Sequence, residues 1–540
     1  MDRLNPLVPS PATPQPTAKF CRSRVLIPCS VVASIALLFA ACGGNSGGPA
    51  DSAGPGPTPS PSGGPAYYLS PNGSNSADCR SAVTPCKSFA AAFAKMAAGD
   101  ELVLLDGSYS AAVGTGTMHW NNGTNSAQIP SGTAGRATTI RALNPGKVII
   151  QGGLFIGRST RKDSYIAVQG LTFEGGGELY NTSFVTIKDC GFHGGFGIGT
   201  NDHENGNTDN LIEDVWAWAD QQRIIAINYR AHRNVWRRVV VRGDGCGTSE
   251  CTGSGNPNVG FTVYESHDVS VQNMLVVDRI LAPGDEPYSD FAVAQHTPGP
   301  QYALGRNEWL GTMSLNGPDI GYYMEPDVGG TVDQTIKISN AVAWNSPGGF
   351  NMARSGTNNV LENLTVFARG DDAVRVAPEL LNGILRNVVV QGTGRYAINS
   401  AYRGDFVNVN GTWSQGQFNQ TTPSNILLDN PLGSALKYLT RIEAGASLKG
   451  KGVGGADVGA NVVYRYGTDG KRHAEVGYNS LGTAALWPWP NEARIKAEMC
   501  AATARGFCSN RQRLGGTGPV TLTTYVWEAL GNAIPAGIYP

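Results

Sequence analysis

The chain has 540 residues, a formal net charge of −1 and only 15% charged side chains, and no basic run of the kind that tracks a nucleic-acid backbone. Glycine is abundant, at 71 residues, while amphipathic helical patterns are few, which favours a turn-rich β architecture over a helical one. The length allows a large core and more than one compact unit.

The first 65 residues read as leader and tether rather than fold. Arg22 and Arg24 precede the apolar run VLIPCSVVASIALLFAA, which Pro28 interrupts. It is short for a spanning helix and fits a cleaved secretory signal over residues 1–41. The run ends in LLFAACGG, which resembles a bacterial lipobox, with Phe39 where that motif usually carries leucine. The resemblance implies that Cys42 is lipidated and becomes the mature N-terminus; the alternative is an ordinary secreted protein with a small-residue cleavage site. Gly43 follows, not aspartate, and by resemblance to Gram-negative lipoproteins this favours the outer membrane. Residues 42–65, rich in Gly, Pro and Ser, make a flexible tether that stiffens where proline repeats.

Cysteine usage agrees with export. Of ten cysteines, Cys21 and Cys29 lie in the signal and Cys42 would carry lipid. Six of the rest form close pairs, Cys79 with Cys86, Cys246 with Cys251 and Cys500 with Cys508, and these are expected to be disulfides. Zinc is the alternative, but no histidine lies close to a pair and the spacings do not suit a paired ligand motif. Cys190 is left over, within an apolar strand pattern, as a small buried hydrophobe.

From residue 66 onward the chain repeats itself. NVWRRVVV, DVSVQNMLVV, NNVLENLTVF and NGILRNVVVQ each carry a short apolar run to a polar residue and then start a second alternating run. The polar positions are Asp189, Asp214, Arg238, Asn273, Asn340, Asn363 and Asn387, and the clean intervals are 25, 24, 23 and 24 residues. The longer intervals hold Gly- and Pro-rich inserts at 244–258 and 281–308, and a less regular turn runs through EWLGTMSLNGPDIGYYMEP. Such a period with short strands predicts a solenoid of three-stranded coils, with equivalent residues ~4.8 Å apart along the stack and asparagines at one corner hydrogen-bonding as a ladder.

The segment YYLSPNGSNSADCRSAVTPCKSFAAAFAKMAAGDELVLLDGSYS, residues 67–110, resembles the N-terminal cap and first coil of bacterial right-handed parallel β-helix proteins of the pectate-lyase-like superfamily. It reads as a strand, then a helix presenting Phe89, Phe93 and Met96 on one face and closed by Gly99. The expected fold is therefore an all-β right-handed parallel β-helix over residues 66–430, with coils of about 23–25 residues and a helical N-terminal cap. Residues 431–540 lack the period, carry helices after Asn491 and over TLTTYVWEALG, and are expected to form an irregular C-terminal cap over the last coil.

In proteins of this superfamily substrate lies along one strand stack, here aligned as IIAINYR, GFTVYES, DIGYYME, GGFNMAR, DDAVRVA and RYAINSA. Alternation puts Phe261, Val263, Tyr322, Met324, Phe350, Met352, Val374, Val376 and Ile398 inward. It puts Ala226, Thr262, Tyr323, Asn351, Arg375 and Asn399 in one outward column, and Asn228, Tyr264, Glu325, Ala353 and Ala377 in a second. His296, in the second insert, is expected to enter between the turns bearing Tyr264 and Tyr323. Trp216, Trp218, Trp344 and Phe367 face outward on another stack, under an insert loop or as a carbohydrate platform.

The acid pair Asp371–Asp372 does not complete a site by itself. Some pectate lyases bind calcium with aspartates around a sequence like AWNNSDDGFD; here Pro347, Gly348 and Asn351 stand where acids would be, and Arg375 takes the third acidic place one turn later. A hard cation wants several oxygen ligands, so calcium fits an incomplete pocket and no cofactor is assigned. The galacturonase pattern also fails, because NTD at 207–209 is about seven coils from Asp371 and Asp372. The pair reads as a turn whose acids meet Arg369, Arg375 or Arg395.

A uronate lyase needs a cation for the carboxylate, a base for the C5 proton and an acid for the leaving oxygen. Arg375 as clamp, with Tyr323 or His296 as base or acid, meets that need, with Tyr264, Glu325, Asn351 and Asn399 as substrate-binding residues. The expected protein is a monomeric, exported polysaccharide lyase acting on an extracellular acidic polysaccharide, attached to the membrane only through its lipid and with no nucleic-acid partner. The alternative is a non-catalytic glycan-binding or adhesin-like surface protein.

Overall fold

The computed structural model describes residues 64–528 except 113, 120–127, 158–160, 200–205, 253–256, 295–304, 326–334, 353–358, 371, 377–382, 393–394, 398–402, 410–417, 420–448, 451 and 514–516. Cys42, His296, Asp371 and Asn399 lie outside the described residues, and for Arg375 the strand backbone alone is described. No helix among the described residues is long and apolar enough to cross a membrane.

The fold is a right-handed parallel β-helix. One face is an 11-stranded parallel sheet made of β1 Met118–His119, β2 Leu154–Ile156, β3 Gly177–Tyr180, β4 Phe196–Gly199, β5 Ile224–Tyr229, β6 Pro257–Tyr264, β7 Glu286–Ala294, β8 Ile320–Glu325, β9 Gly348–Met352, β10 Asp372–Val376 and β11 Arg395–Ala397. The other two strands of each coil join at a corner into a 22-stranded assembly. Parallel pairing buries every second residue, and the interior is filled by stacked rings such as Phe291, Tyr322 and Phe350, with centroids 4.7 and 4.3 Å apart. At the N-terminal side, a one-turn helix α1, Phe89–Phe93, is N-capped by Ser88 and packs Phe89 and Phe93 into the same core.

The repeated polar residues mark the corner between the two other strands. Asp189, Asp214, Arg238, Asn273, Asn340, Asn363 and Asn387 all have φ between 45 and 56°. Asn and Asp tolerate this left-handed conformation better than most residues, which explains their recurrence. Gly311, with φ 65°, fills the same place in the irregular coil. The side-chain ladder forms between Asn387 and Asn363, at 2.9 Å. Asn273 and Asn340 instead bond Tyr466 of the C-terminal region, at 2.7 and 2.6 Å.

One expectation is corrected here. The stretch 281–308 is not merely an insert, since it contains β7, a full rung of the 11-stranded sheet lying between β6 and β8. The described part of the C-terminal region, 449–528, runs along the side of the solenoid. It touches coils from Asn387 at one end to Asp189 at the other. There, α2 Glu492–Met499 and α3 Leu522–Glu528 bury Ile495, Met499, Val526 and Trp527 against Trp216, Leu275, Met313 and Trp344. Among the described residues, the outward tryptophans are thus covered by the tail. A charged clasp adds direction: buried Arg237 pairs with Glu213 at 2.7 Å and donates to the carbonyls of Thr468, Lys471 and Tyr478 at 2.8, 3.0 and 2.9 Å.

The three expected disulfides are present. Cys246, Cys251 and Asp285 also form the one grouping of metal-capable atoms among the described residues, but both sulfurs are spent in the bond. Cys190 is a buried thiol whose pKa burial pushes up to about 12, so it stays protonated and inert. Mass spectrometry of the unreduced protein should find one alkylatable thiol after unfolding in residues 66–540, at Cys190; free thiol at Cys246 or Cys500 would contradict the pairing.

Candidate functional site

With one outward face closed by the tail, the 11-stranded sheet carries the site. Its register defines the central outward column: Phe155, Glu178, Gly197, Ile227, Thr262, Ala292, Tyr323, Asn351, Arg375 and Ala397. Tyr323, Asn351 and Arg375 are therefore consecutive, ~4.8 Å per step. The neighbouring column holds Tyr180, Gly199, Tyr229, Tyr264, Ala294 and Glu325.

The alignment of β5 and β11 was out of step. Ile227, not Ala226, is the partner of Thr262, and Tyr229, not Asn228, is the partner of Tyr264. Ala226 lies in the core. Asn228 is buried inside, where its amide donates to the Ala231 carbonyl at 2.7 Å and its oxygen accepts from Trp236 Nε1 at 3.2 Å. A polar side chain can sit inside when its bonds are made, so the polar-outside rule chose the wrong face. At the far end, Ala397 and not Asn399 is in register with Arg375. Asp372 is in register with Arg395, while Arg369 donates to the carbonyls of Asn345 and Gly317 at 3.0 and 3.4 Å.

The polar arrangement on this face centres on Glu325. Its carboxylate is buried, with 6% of the residue exposed. Tyr323 donates to Oε1 at 3.0 Å and Tyr288 to Oε2 at 3.3 Å. The two tyrosine rings lie 4.8 Å apart at 59°. Both tyrosines are half-buried. One step further, Asn351 is 7% exposed and its Oδ1 has no hydrogen-bond partner among the described residues. A buried acceptor left unmade costs about 1–3 kcal/mol, so it is poised to receive a donor from outside.

Tyr264 lies two coils from Tyr323, with β7 between them. It stacks on Tyr229 at 5.3 Å, while Arg230 covers the Tyr229 ring at 4.8 Å and pairs with buried Glu265 at 2.6 Å. Burial holds the Tyr264 phenol well above its usual range. Tyr288 was missed by sequence reasoning because EPYSDFAVA sits in a Gly- and Pro-rich stretch read as an insert. Its alternating pattern was the available signal. Glu178 was also missed. It is half-buried on the central column beside Phe155 and Gly197, and burial pushes its carboxyl up to about 7. Five register steps, ~24 Å, separate it from Tyr323, so it belongs to a different part of the groove.

No family model matches the sequence, and no curated protein does. Among solved structures, the chain is similar to pectate lyase Pel9A, at 16% identity over 74% of this chain and 97% of that one, with a TM-score of 0.41. A rhamnogalacturonan lyase matches at 13% identity over 68% and 91% of the two chains, with a TM-score of 0.36. An alginate lyase from Paenibacillus sp. str. FPU-7 matches at 16% identity over 59% and 96%, with a TM-score of 0.32. The reading of the site rests on its own geometry and not on these likenesses.

Proposed function

We propose that the chain is a polysaccharide lyase that cleaves an acidic polysaccharide by β-elimination at a uronate lying across β7–β10. The observation that carries this reading is the hydroxyl of half-buried Tyr323 hydrogen-bonded to the buried Glu325 carboxylate on the outward face of the sheet. Elimination begins by removing a proton from the carbon beside a carboxylate, which calls for a base at hydrogen-bond reach and positive charge to hold the carboxylate. Tyr323 supplies the base oxygen once its own proton passes to Glu325. Arg375, two register steps away, is the assigned clamp, and Asn351 between them takes a sugar hydroxyl. His296, two residues beyond β7, is the other proton carrier that the sequence offers. The groove columns contain no lysine that could replace Tyr323.

Incubation with a panel of uronate polymers tests the reading. A lyase leaves unsaturated chain ends that absorb in the ultraviolet. A glycan-binding or adhesin-like protein retains polymer and produces no absorbance.

The same proposal places the enzyme outside the cytoplasm, anchored by lipid on Cys42. Support comes from the LLFAAC stretch after a charged, apolar leader. Cys42→Ser should move the protein from the membrane to the soluble fraction on cell fractionation. Persistence in the membrane would sink the lipobox reading.

A further inference from the structure

Resting on the lyase reading, we infer that Tyr323, Glu325 and Tyr288 form a proton circuit in which Tyr288 is the acid that protonates the leaving oxygen. The two hydroxyls contact opposite oxygens of one carboxylate, Oε1 at 3.0 Å and Oε2 at 3.3 Å. Their rings are near neighbours, 4.8 Å between centroids, although they come from different coils: Tyr288 from the start of β7 and Tyr323 from the middle of β8. A buried carboxylate needs hydrogen bonds, and one tyrosine beside backbone donors could meet that need. Two half-buried tyrosines on one carboxyl do more, because they set two hydroxyls side by side on its two oxygens. The carbon that loses its proton and the oxygen that leaves are separated by a single atom in the substrate, so paired hydroxyls match the reaction.

The step balances within these groups. The C5–H bond breaks and its proton goes to the Tyr323 oxygen, while the Tyr323 proton moves to Glu325 Oε1. The electron pair left at C5 forms the C4–C5 double bond and expels the C4 oxygen. That oxygen takes the Tyr288 proton. Rotation of the Glu325 carboxyl about its Cγ–Cδ bond then brings that proton to the Tyr288 side and returns it to the Tyr288 phenolate, restoring a carboxylate and two neutral tyrosines. Glu325 touches no substrate atom in this scheme; it couples the two tyrosines and positions them.

The circuit separates the roles of two residues that a purely structural account treats alike. Wild type, Tyr288→Phe and Tyr323→Phe are compared on the uronate polymer that wild type cleaves and on a synthetic uronide with 4-nitrophenoxide at C4, a group that departs without a proton. Tyr288→Phe should lose about 100-fold or more on the polymer and stay within a few-fold of wild type on the aryl substrate. Tyr323→Phe should be slow on both. Thermal unfolding of Tyr288→Phe should remain cooperative, which separates lost chemistry from lost fold. Equal loss by Tyr288→Phe on both substrates, or loss on neither, with wild type active, overturns the circuit alone. A wild type inactive on every uronate overturns the lyase reading and the circuit with it.

Discussion

Tyr323→Phe and Arg375→Ala should each slow polymer cleavage by on the order of 100–1,000-fold while the protein stays folded. The two losses have different origins. Tyr323→Phe removes the oxygen that receives the proton, and it leaves Glu325 with the Tyr288 bond still made. The stability cost of that lost bond is about 1–3 kcal/mol, borne by a fold whose core runs continuously from Tyr67 to Val390. Arg375→Ala removes positive charge from the column position next to Asn351. Asp371→Asn should keep the rate within a few-fold, because the proposed proton path runs through Tyr323, Glu325 and Tyr288 and not through that acid. Steady-state rates of the three variants, read from the ultraviolet absorbance of new chain ends, check this. Activity that depends on Asp371 and calcium but survives Arg375→Ala would mean that the chemistry sits elsewhere on the sheet.

Removing residues 449–540 should convert the protein from soluble to aggregated. The tail is the only described cover of the apolar stack that includes Trp216, Leu275, Met313, Leu315, Val342 and Trp344. Without it, this stack becomes a contiguous exposed apolar face of the kind that soluble monomers rarely present. Asn273 and Asn340 would lose their bonds to Tyr466, and Arg237 would keep Glu213 and Gln272 but lose three carbonyl acceptors. A milder version is Trp527→Ala. Its indole is 2% exposed and meets Trp487 edge-on at 6.0 Å. Truncation there should cost about 3–5 kcal/mol, visible as a lowered midpoint in denaturant. A truncated protein that stays soluble and monomeric would show that the tail is dispensable.

The sequence made the architecture legible because its constraint repeats. Each corner needs a residue that accepts positive φ, so Asp189, Asp214, Asn273, Asn340, Asn363 and Asn387 announce themselves at coil spacing, and Arg238 follows by position. The disulfides were legible for a similar local reason, since short loops leave few partners. The groove was legible only in part. Tyr264, Tyr323, Glu325, Asn351 and Arg375 fell into the columns expected, because β6, β8, β9 and β10 alternate clearly. In β5, isoleucines at 224, 225 and 227 fit either face, and the buried, fully bonded Asn228 broke the tie the wrong way. The rung carrying Tyr288 was hidden because its coil is long: Asn273 is followed in register by Gly311, and the missing asparagine removed the marker. The covered face was the least legible, because Trp216 and Trp344 meet partners from Val462 to Trp527, far away in sequence. No local pattern encodes a contact at that separation.

The most direct measurement of the central claim is proton NMR of the oligosaccharides released from the cleaved polymer. β-Elimination driven by the Tyr323–Glu325 pair predicts a vinylic C4 proton on every new non-reducing end, lost in parallel with activity in Tyr323→Phe. New ends that are saturated, with one water added per break, would show hydrolysis and contradict the account.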